Sequence, residues 1–582
     1  MKLPKLSVLS QSRLMTDKFL GYNANLRCSD GEFSEMENMT GALYPVMSPR
    51  TARETFYRGS GVNGITSKEA LIYVKGSDVV IGNTVIPLGL STISKPKQLV
   101  SMGAYLCVFP DKKYINTKNM TDYGAMEAEA HTHDGNIVTL TLCNADYESY
   151  NVKTVGSKAP SAPSNGEYWL DTSKDSAGLK VWNETSGIWV GVATTYVKIQ
   201  GLWYSDENST VLNEVFAEGD GVTVSGIESS DDLNGTMIIQ AVGRDYIVVT
   251  GLINNAVTQK TAVTIERRVP QMDYVCESEN RLWGCYYGMK NGETVNEIYA
   301  SKLGDFRNWN CYEGLSTDSY TVSVGSDGPF TGAITHLGYP LFFKERCIHK
   351  IYGSYPAQYS LQTTVCRGVQ EGCYRSLQIV NEILYYKSIS DICAYDGSLP
   401  TTVSTALGSE TYHNAAAGHI RGRYYISMQD SNDNYHMFVY DTERGMWHRE
   451  DSTHAEMFAE KDGRLYFINA AGSIDIVDSA SYEGVSWSAT TGIFGYSYPD
   501  NKYVSRFNVR MMLSEDASVE ILCEYDSSGD WISQGTIKGN GIGSFTVPVR
   551  PVRCDHMRIR FAGTGECKIY SITKILEEGS DV

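Results

Sequence analysis

The sequence predicts an all-β fold: a β-propeller core of about seven blades with an inserted β domain and a C-terminal β-sandwich. Composition, an internal repeat and a late change of pattern lead to this prediction. The chain of 582 residues contains 39 Tyr and 54 Gly but only 16 Pro. Tyrosine suits the half-buried surface of a pleated strand, and glycine supplies the tight turns between short strands.

The repeat consists of apolar triplets that each follow a polar turn and precede a second apolar strand. Their first residues are 43, 40 and 41 positions apart: Leu341-Phe342-Phe343, Leu384-Tyr385-Tyr386, Tyr424-Tyr425-Ile426 and Leu465-Tyr466-Phe467. A unit of this length cannot bury both faces of its own small sheet, but sheets stacked radially around an axis bury each other's faces. Weaker copies near Leu71, Tyr105 and Arg281 bring the number of units to about seven. A β-sandwich with evenly spaced hairpins is the alternative.

Two interruptions of the repeat divide the chain. It is absent between about 125 and 268, a gap long enough for an inserted domain, and longer alternating strands replace it after Asp478. We therefore expect five parts: an N-terminal arm at 1–50, the first blades at 51–129, an inserted β domain at 130–266, the remaining blades at 267–480 and a C-terminal β-sandwich at 481–582.

The charge and the cysteines exclude some classes of protein. The formal net charge is −18 and no run of Lys or Arg occurs, whereas a protein that grips DNA phosphates needs a basic face. The acidic surface either keeps the protein soluble or prevents adhesion to passing nucleic acid. The 13 cysteines contain no C-x-x-C pair, so we expect reduced core residues of a chain folded in a cytoplasm. Neither a secretory signal nor a membrane span is expected.

The sequence contains two short patterns that imitate cofactor or metal motifs. Gly59 to Gly64 matches G-x-G-x-x-G, but no strand precedes it and no clear helix follows, so we interpret it as a loop. His131, His133 and Asp134 could be metal ligands, but no further ligand lies nearby, which favours a solvated loop. We expect no cofactor and no metal.

Two acidic patterns could suggest a calcium site or a catalytic pair, but neither has the residues or the geometry that such a site needs. The run Asp430 to Asn434 lacks the glycine and the distal glutamate of a calcium loop and is interpreted as a turn. Glu450 and Asp451 are adjacent carboxylates, which point to opposite faces of a strand and so favour a solvated strand end over a glycosidase pair. We expect no catalytic residues, and therefore that the chain is not an enzyme.

Three tryptophans in the expected insert are the candidate contact residues. Trp169, Trp182 and Trp189 lie in a Gly-, Ser- and Pro-rich stretch with the pattern of small β-hairpins. Such side chains could form the core of a tiny domain, or they could contact a glycan or a partner through their rings.

Three segments of the chain, one near each end and one in the propeller region, resemble segments of known proteins. The opening Gly21-Tyr22-Asn23, with Glu37-Asn38-Met39-Thr40 and Tyr44-Pro45-Val46, resembles tail proteins of phages and prophages of Gram-positive hosts. The stretch from Glu279 to Gly332 resembles the propeller region of podovirus-type tail nozzle proteins, also called tail tubular protein B or tail stabilisation proteins. The closing segment Arg553 to Arg560 is similar to their terminal β domain.

This resemblance implies a structural protein of a bacteriophage tail. As a nozzle subunit, the chain would form a ring, expected to be a homo-hexamer, next to adaptor and portal-proximal proteins and to tail fibres or spikes. DNA would pass through the ring during ejection without specific binding, and the protein would be made in the host cytoplasm and reside in the virion tail. One alternative is a receptor- or carbohydrate-binding tail protein whose tryptophans stack on sugars. A propeller glycosidase is the third interpretation.

Overall fold

The fold is almost entirely β-strand. The computed structural model describes residues 11–92, 96–173, 178–206, 208–254, 256–290, 292–494, 502–550 and 552–578. Short helical segments accompany the strands: an α-helix at Leu212–Val215 and 3-10 turns at Asp231–Leu233, Pro356–Gln358, Tyr374–Ser376 and Thr405–Leu407. No helix within these ranges is long and apolar enough to cross a membrane.

The described residues contain seven four-stranded antiparallel sheets of the propeller type. Blade 1 consists of Val62–Ser67, Leu71–Lys75, Asp78–Ile81 and Thr84–Ile86. Blade 2 consists of Gln98–Met102, Tyr105–Phe109, Lys113–Asn116 and Tyr123–Ala125. Blade 3 consists of Tyr274–Ser278, Arg281–Lys290, Glu293–Ala300 and Tyr320–Ser323. Blade 4 consists of Gly332–His336, Tyr339–Lys344, Cys347–Tyr352 and Ser360–Val365. Blade 5 consists of Gln378–Val380, Ile383–Lys387, Ile392–Tyr395 and Thr401–Thr402. Blade 6 consists of His413–Ile420, Arg423–Gln429, Tyr435–Asp441 and Met446–Arg449, and blade 7 of Ala455–Lys461, Arg464–Asn469, Ile474–Ile476 and Glu54–Tyr57.

The ring is closed by a strand from the start of the propeller region. Glu54–Tyr57, which precedes blade 1 in sequence, pairs with Ile474–Ile476 and becomes the outermost strand of blade 7. The innermost strand of blade 7, Ala455–Lys461, also contacts the innermost strand of blade 1, Val62–Ser67. The predicted fold class is confirmed.

The repeated triplets explain why the blades stack. Each triplet lies in the second strand of a blade, where successive side chains point to opposite faces. In blade 4, Leu341 and Phe343 pack into a core shared with blades 5 and 6, whereas Phe342 packs into a core shared with blade 3. Phe342 and Phe343 are fully buried. An apolar triplet is therefore required here because both faces of each sheet are covered by neighbours.

The inserted domain interrupts the propeller between blades 2 and 3. Its ten-stranded sheet runs in the order Asn208–Ser209, Tyr204–Ser205, Ala128–His131, Thr264–Arg267, Gly221–Ser225, Gly235–Val242, Tyr246–Thr250, Tyr196–Gln200, Val138–Cys143 and Val257–Gln259. A separate small sheet runs in the order Val152–Gly156, Tyr168–Asp171, Gly178–Asn183 and Ile188–Gly191. Both sheets contribute to one apolar core.

A buried polar triad joins the insert to blade 3. The Arg267 guanidinium donates to Asp220 Oδ2 at 2.5 Å, and Asn308 Nδ2 donates to Asp220 Oδ1 at 2.8 Å. Asn308 Oδ1 in turn accepts from the Gly221 backbone N–H. All three triad side chains are at least 95% buried, so this contact fixes the orientation of the insert.

The C-terminal domain is a β-sandwich completed by the N-terminal residues. One sheet runs in the order Gln11–Thr16, Cys567–Glu578, Lys502–Leu513 and Gly541–Pro548. The other runs in the order Gly21–Tyr22, Glu32–Glu37, Ser486–Thr491, Met557–Thr564, Ser518–Tyr525 and Ile532–Lys538. Met39–Thr40 and Ser48–Pro49 form a short pair of their own.

The N-terminal segment, expected from the sequence to be an arm, contributes strands to the sandwich. Its strand Glu32–Glu37 pairs with Ser486–Thr491, and Phe33 and Met36 are buried in the sandwich core. The reason is physical: the apolar side chains gain burial, and the pairing covers strand edges that would otherwise be open.

Candidate functional site

The three candidate tryptophans lie on one face of the small sheet in the insert. Trp182 is directly opposite Trp189 across the pair Gly178–Asn183 and Ile188–Gly191. Trp169 is directly opposite Lys180, two residues before Trp182. Because directly paired residues and residues two apart share a face, all three rings are on the same side of the sheet. We call Trp169, Trp182 and Trp189 the tryptophan face.

The tryptophan face is turned away from the apolar core of the insert. Leu170 and Leu179 are paired on the opposite side of the sheet and belong to that core, whereas none of the three tryptophans does. Trp169 is only 5% exposed, while Trp182 and Trp189 are half-buried. The core of the insert therefore does not require the rings of Trp182 and Trp189.

The rings contact each other at an angle. The centroids of Trp182 and Trp189 are 5.4 Å apart with an interplanar angle of 59°, and those of Trp169 and Trp189 are 5.3 Å apart at 67°. The Trp169 indole N–H donates to Gly156 O at 2.9 Å. The other two indole N–H groups donate to no residue that the structure describes, so they remain free for a ligand.

An ion pair borders the tryptophan face. Lys180 Nζ is 2.8 Å from Asp171 Oδ2 and 5.0 Å from the centroid of Trp169. The hydrogen bond from Lys180, assisted by Ser173, lowers the pKa of Asp171 to about 2. The face therefore combines partly open aromatic rings with a lysine whose position is fixed by a buried carboxylate.

The sequence allowed the tryptophans either a role in a small core or a role as contact residues, and the three residues differ in this respect. Trp169 is packed under Trp189 and Lys180 and has a structural role. Trp182 and Trp189 form a surface. The alternating pattern Lys180, Val181, Trp182 is the sequence signal that places Trp182 on the polar side of its strand.

His131, His133 and Asp134, interpreted from the sequence as a solvated loop, take part in ring stacking and in a backbone contact. The His131 and His133 rings stack at 5.4 Å, and His133 stacks on Tyr204 at 4.0 Å. Asp134 accepts from the Ala262 backbone N–H. In the described ranges, no group of three or more His, Cys, Asp or Glu side chains could hold a metal ion.

The run from Asp430 to Asn434 is a turn in which the Asp430 carboxylate binds neighbouring residues of the same blade. Asp430 Oδ1 accepts the backbone N–H groups of Asn432 and Asn434, and Asp430 Oδ2 is 2.8 Å from His436 Nε2. The interaction with His436 lowers the pKa of Asp430 to about 2. Gly59 to Gly61 lie in the connection that precedes the strand Val62–Ser67, again without a helix.

The interpretation of Glu450 and Asp451 as a solvated strand end is wrong. Glu450 is 3% exposed and lies 3.0 Å from Arg53, and Asp451 lies 2.8 Å from both Arg53 and Arg50. These arginines belong to the segment that leads into the closing strand of blade 7. Burial raises the pKa of Glu450, whereas the two arginines outweigh burial at Asp451 and lower its pKa.

A second cluster, not predicted from the sequence, lies where the innermost strands begin. Tyr274 opens the innermost strand of blade 3, and its ring is 5.1 Å from that of Tyr374 before blade 5. Arg375 Nη1 donates to Glu456 O at 2.7 Å, at the start of blade 7. Because every blade begins with its innermost strand, these residues share one axial end of the propeller. Their separation of up to about 180 positions explains why no sequence motif shows them.

The cluster contains groups suited to binding or proton transfer. Burial raises the pKa of Glu456, although Arg375 opposes this, and burial together with Arg375 lowers the pKa of His454. The Tyr435 ring stacks on His454 at 3.6 Å. Arg375 Nε is buried and has no hydrogen-bond partner among the described residues. A carboxyl with a raised pKa beside an arginine is a common arrangement in both binding and catalytic sites.

Comparison with known proteins gives structural neighbours only. No protein-family model and no curated protein sequence matches the chain. An exo-β-1,3-galactanase from Phanerochaete chrysosporium is similar over 52% of this chain and 94% of its own, with 10% identity and a TM-score of 0.22. The extracellular domain of a putative hybrid two-component system from B. thetaiotaomicron covers 93% and 98%, with 8% identity and a TM-score of 0.25. The Trypanosoma rangeli sialidase covers 91% and 96%, with 9% identity and a TM-score of 0.21.

These neighbours correct the expectation that the chain is not an enzyme. Two of them are enzymes by name, a galactanase and a sialidase. The expectation depended on the absence of catalytic motifs, but in a propeller the side chains at the axis come from separate blades and leave no local motif. At these TM-scores the likeness assigns neither a substrate nor a catalytic residue to this chain.

Proposed function

We propose that this β-propeller protein binds carbohydrate through the tryptophan face of its inserted domain. The observation that carries the proposal is the pair Trp182 and Trp189, whose rings lie opposite the core of the insert and remain partly open. Exposed aromatic side chains beside a fixed polar pair are typical of binding surfaces. The apolar C–H face of a pyranose ring fits an indole, and its hydroxyl groups fit the indole N–H groups and Lys180.

The site favours short, neutral glycans. The buried Asp171 neutralises Lys180, so the ammonium offers a hydrogen bond without a net charge on the pair. The two open rings are in mutual contact and cover the width of one or two sugar rings, so most of the affinity must come from them. Ligands with a large formal charge gain little from such a surface.

The experiment is a glycan array followed by titration of a bound glycan with two variants. W182A and W189A each remove one ring, and we expect each to weaken binding about tenfold or more, because a few aromatic anchors dominate such interfaces. I188A is the matched control, since Ile188 is 55% exposed on the same strand but points to the opposite face. Equal affinities of W189A and I188A would refute the proposal, as would the absence of any bound glycan.

We also propose that the protein acts as a subunit of a bacteriophage tail, in a homo-hexameric ring near the adaptor. The support is the sequence resemblance of its N-terminal, propeller and C-terminal segments to tail nozzle proteins. The net charge of −18 suits a position beside DNA that must not be held. In this setting the tryptophan face would contact glycans of the host surface.

Electron microscopy tests the placement in the tail. Negative-stain images of the purified protein, mixed with its adaptor, should show closed rings. Antibody labelling of virions should mark the tail axis. Label confined to the outer fibres would contradict the ring and leave only the carbohydrate-binding role.

A further inference from the structure

A groove of about 400 Å³ lies between the loops that precede the outermost strands of blades 3 and 4. One wall is the loop before the outer strand of blade 3, with Tyr312 and Leu315, and continues into that strand at Tyr320. The other wall is the loop before the outer strand of blade 4, with Tyr355 and Pro356. Tyr312 is 53% exposed and Leu315 is 54% exposed. Large apolar side chains held open at the rim of a groove are characteristic of a binding site.

A buried carboxylate with one unpaired oxygen also lines this groove. Asp318 is 4% exposed. Its Oδ2 accepts the backbone N–H groups of Glu313, Gly314 and Leu315 at 2.6, 2.7 and 3.0 Å. Its Oδ1 is buried and has no hydrogen-bond partner among the described residues. An unsatisfied buried acceptor of this kind is costly, and a hydrogen-bond donor from a ligand would relieve the cost.

The loop that carries Asp318 is held in place before any ligand arrives. Arg281, 1% exposed, donates to Ser301 O and Ser316 O, each at 2.8 Å, and to Asp318 O at 2.5 Å. The Tyr312 hydroxyl is 2.9 Å from Thr321 Oγ1. The tyrosine wall and the carboxylate therefore keep their positions, which lowers the entropic cost of binding.

The charges around Asp318 select the class of ligand. The Arg281 guanidinium donates to the Asp318 carbonyl oxygen and offsets the charge of the carboxylate, so a cationic ligand gains little net attraction there. An anionic ligand would be repelled by Asp318 itself. A neutral ring with several hydroxyl groups is not repelled, and one hydroxyl can donate to Oδ1 while its apolar face lies on tyrosine.

We propose that this groove is a second carbohydrate site, which takes a single neutral pyranose unit with one hydroxyl donating to Asp318. It is separate from the tryptophan face and does not depend on it. A chain with both sites could engage two units of one glycan surface, and avidity would then exceed the affinity of either site.

The test uses methyl pyranosides of glucose, galactose, mannose and N-acetylglucosamine with the full chain. Saturation-transfer NMR shows which of them binds, and titration gives the affinity for wild-type, Y312A and D318N. In D318N the remaining carbonyl oxygen serves the three backbone N–H groups, and an NH₂ donor replaces the unpaired acceptor. We expect both variants to lose about tenfold or more in affinity, because a hydrogen bond to a charged acceptor and an aromatic wall are each removed.

Two controls separate the groove from other sites. Y123A removes an exposed tyrosine from the outer strand of blade 2 and should bind the pyranoside as the wild-type protein does. The double variant W182A/W189A should also retain this binding, even if it abolishes glycan binding by the insert. The proposal is overturned if no pyranoside binds, if Y312A and D318N bind as tightly as Y123A, or if choline binds in the groove and the pyranosides do not.

Discussion

At the scale of single residues, the buried His349 makes the stability of the propeller depend on pH. The ring is fully buried in blade 4, with Nε2 2.9 Å from Ser326 Oγ and Nδ1 2.8 Å from Thr363 Oγ1. Burial, with a smaller contribution from the Lys344 ammonium, lowers the pKa of His349 to about 4. Burial also lowers the pKa of His448 to about 4. Both histidines are therefore neutral in the folded protein at pH 7.

We predict that the free energy of unfolding decreases as the pH falls from about 6.5 to 4. The unfolded histidines bind protons near pH 6.5, but the folded ones do so only near pH 4, so the unfolded state gains protons first and is favoured. Each histidine contributes about 3 kcal/mol over this range. Denaturant titrations at several pH values measure the effect.

The variant H349Q should reduce this pH dependence by the contribution of His349, about 3 kcal/mol. Glutamine can hydrogen-bond to Ser326 but cannot take up a proton, so the contribution of His349 disappears while that of His448 remains. H448Q is the matched variant and should remove a similar share, because burial lowers the pKa of His448 to about 4 as well. A slope equal to that of the wild-type protein in H349Q would show that another group controls the acid response.

At the scale of elements, a buried ion cluster fixes the segment that closes the ring. Arg50 and Arg53 lie just before the strand Glu54–Tyr57 and contact Glu450 and Asp451 after blade 6. The Arg53 and Glu450 side chains are 13% and 4% exposed. In such a cluster the loss of one partner leaves a buried charge uncompensated.

We predict that R53M destabilises the protein by about 3 to 5 kcal/mol. The double variant R53M/E450Q should recover a large part of this loss, because it removes the stranded charge as well. The free energies of unfolding of both variants, with E450Q alone to complete the cycle, measure the coupling. Equal losses in R53M and R53M/E450Q would mean that packing of the arginine side chain, and not charge, is responsible.

The elements also show what the sequence could and could not predict. Blades 4 to 7 follow from the triplet spacing, because each strand is buried by its own neighbours in sequence. The closing strand and the N-terminal strands pair with partners more than 400 positions away, and such pairings leave no local pattern. The groove at Asp318 likewise needs loops from two blades, whereas the tryptophan face arises from three consecutive strands, and its residues were candidates from the sequence.

At the scale of the whole molecule, the insert connects to the propeller at closely spaced ends. Ala128 and Arg267 are directly paired across antiparallel strands, so their Cα atoms lie only about 5 Å apart. The core of the insert is made of its own residues. One buried contact joins the insert to blade 3. The side-chain amide of Asn308 donates through its nitrogen to Asp220 and accepts through its oxygen from the Gly221 backbone N–H.

We predict that replacing residues 128–267 with a short Gly/Ser linker leaves a soluble propeller that unfolds cooperatively but is less stable. The loss should be about 1 to 3 kcal/mol, because the deletion removes the hydrogen bonds of Asn308 to Asp220 and Gly221 and leaves the one to Asp305. D220A in the full chain removes the same carboxylate and also leaves the buried Arg267 guanidinium without its ion-pair partner, so thermal unfolding should show a larger loss than the deletion does.

The deletion also separates the two proposed binding sites within one molecule. It removes Trp182 and Trp189 but keeps the loops around Asp318, so glycan-array binding should disappear while the pyranoside remains bound in the groove. The groove should be preserved because the Arg281 contacts that hold the Asp318 loop come from blade 3 itself. An insoluble or non-cooperative product would show that the propeller needs the insert to fold. Loss of pyranoside binding from a well-folded product would show instead that the Asp220–Asn308 contact positions the groove.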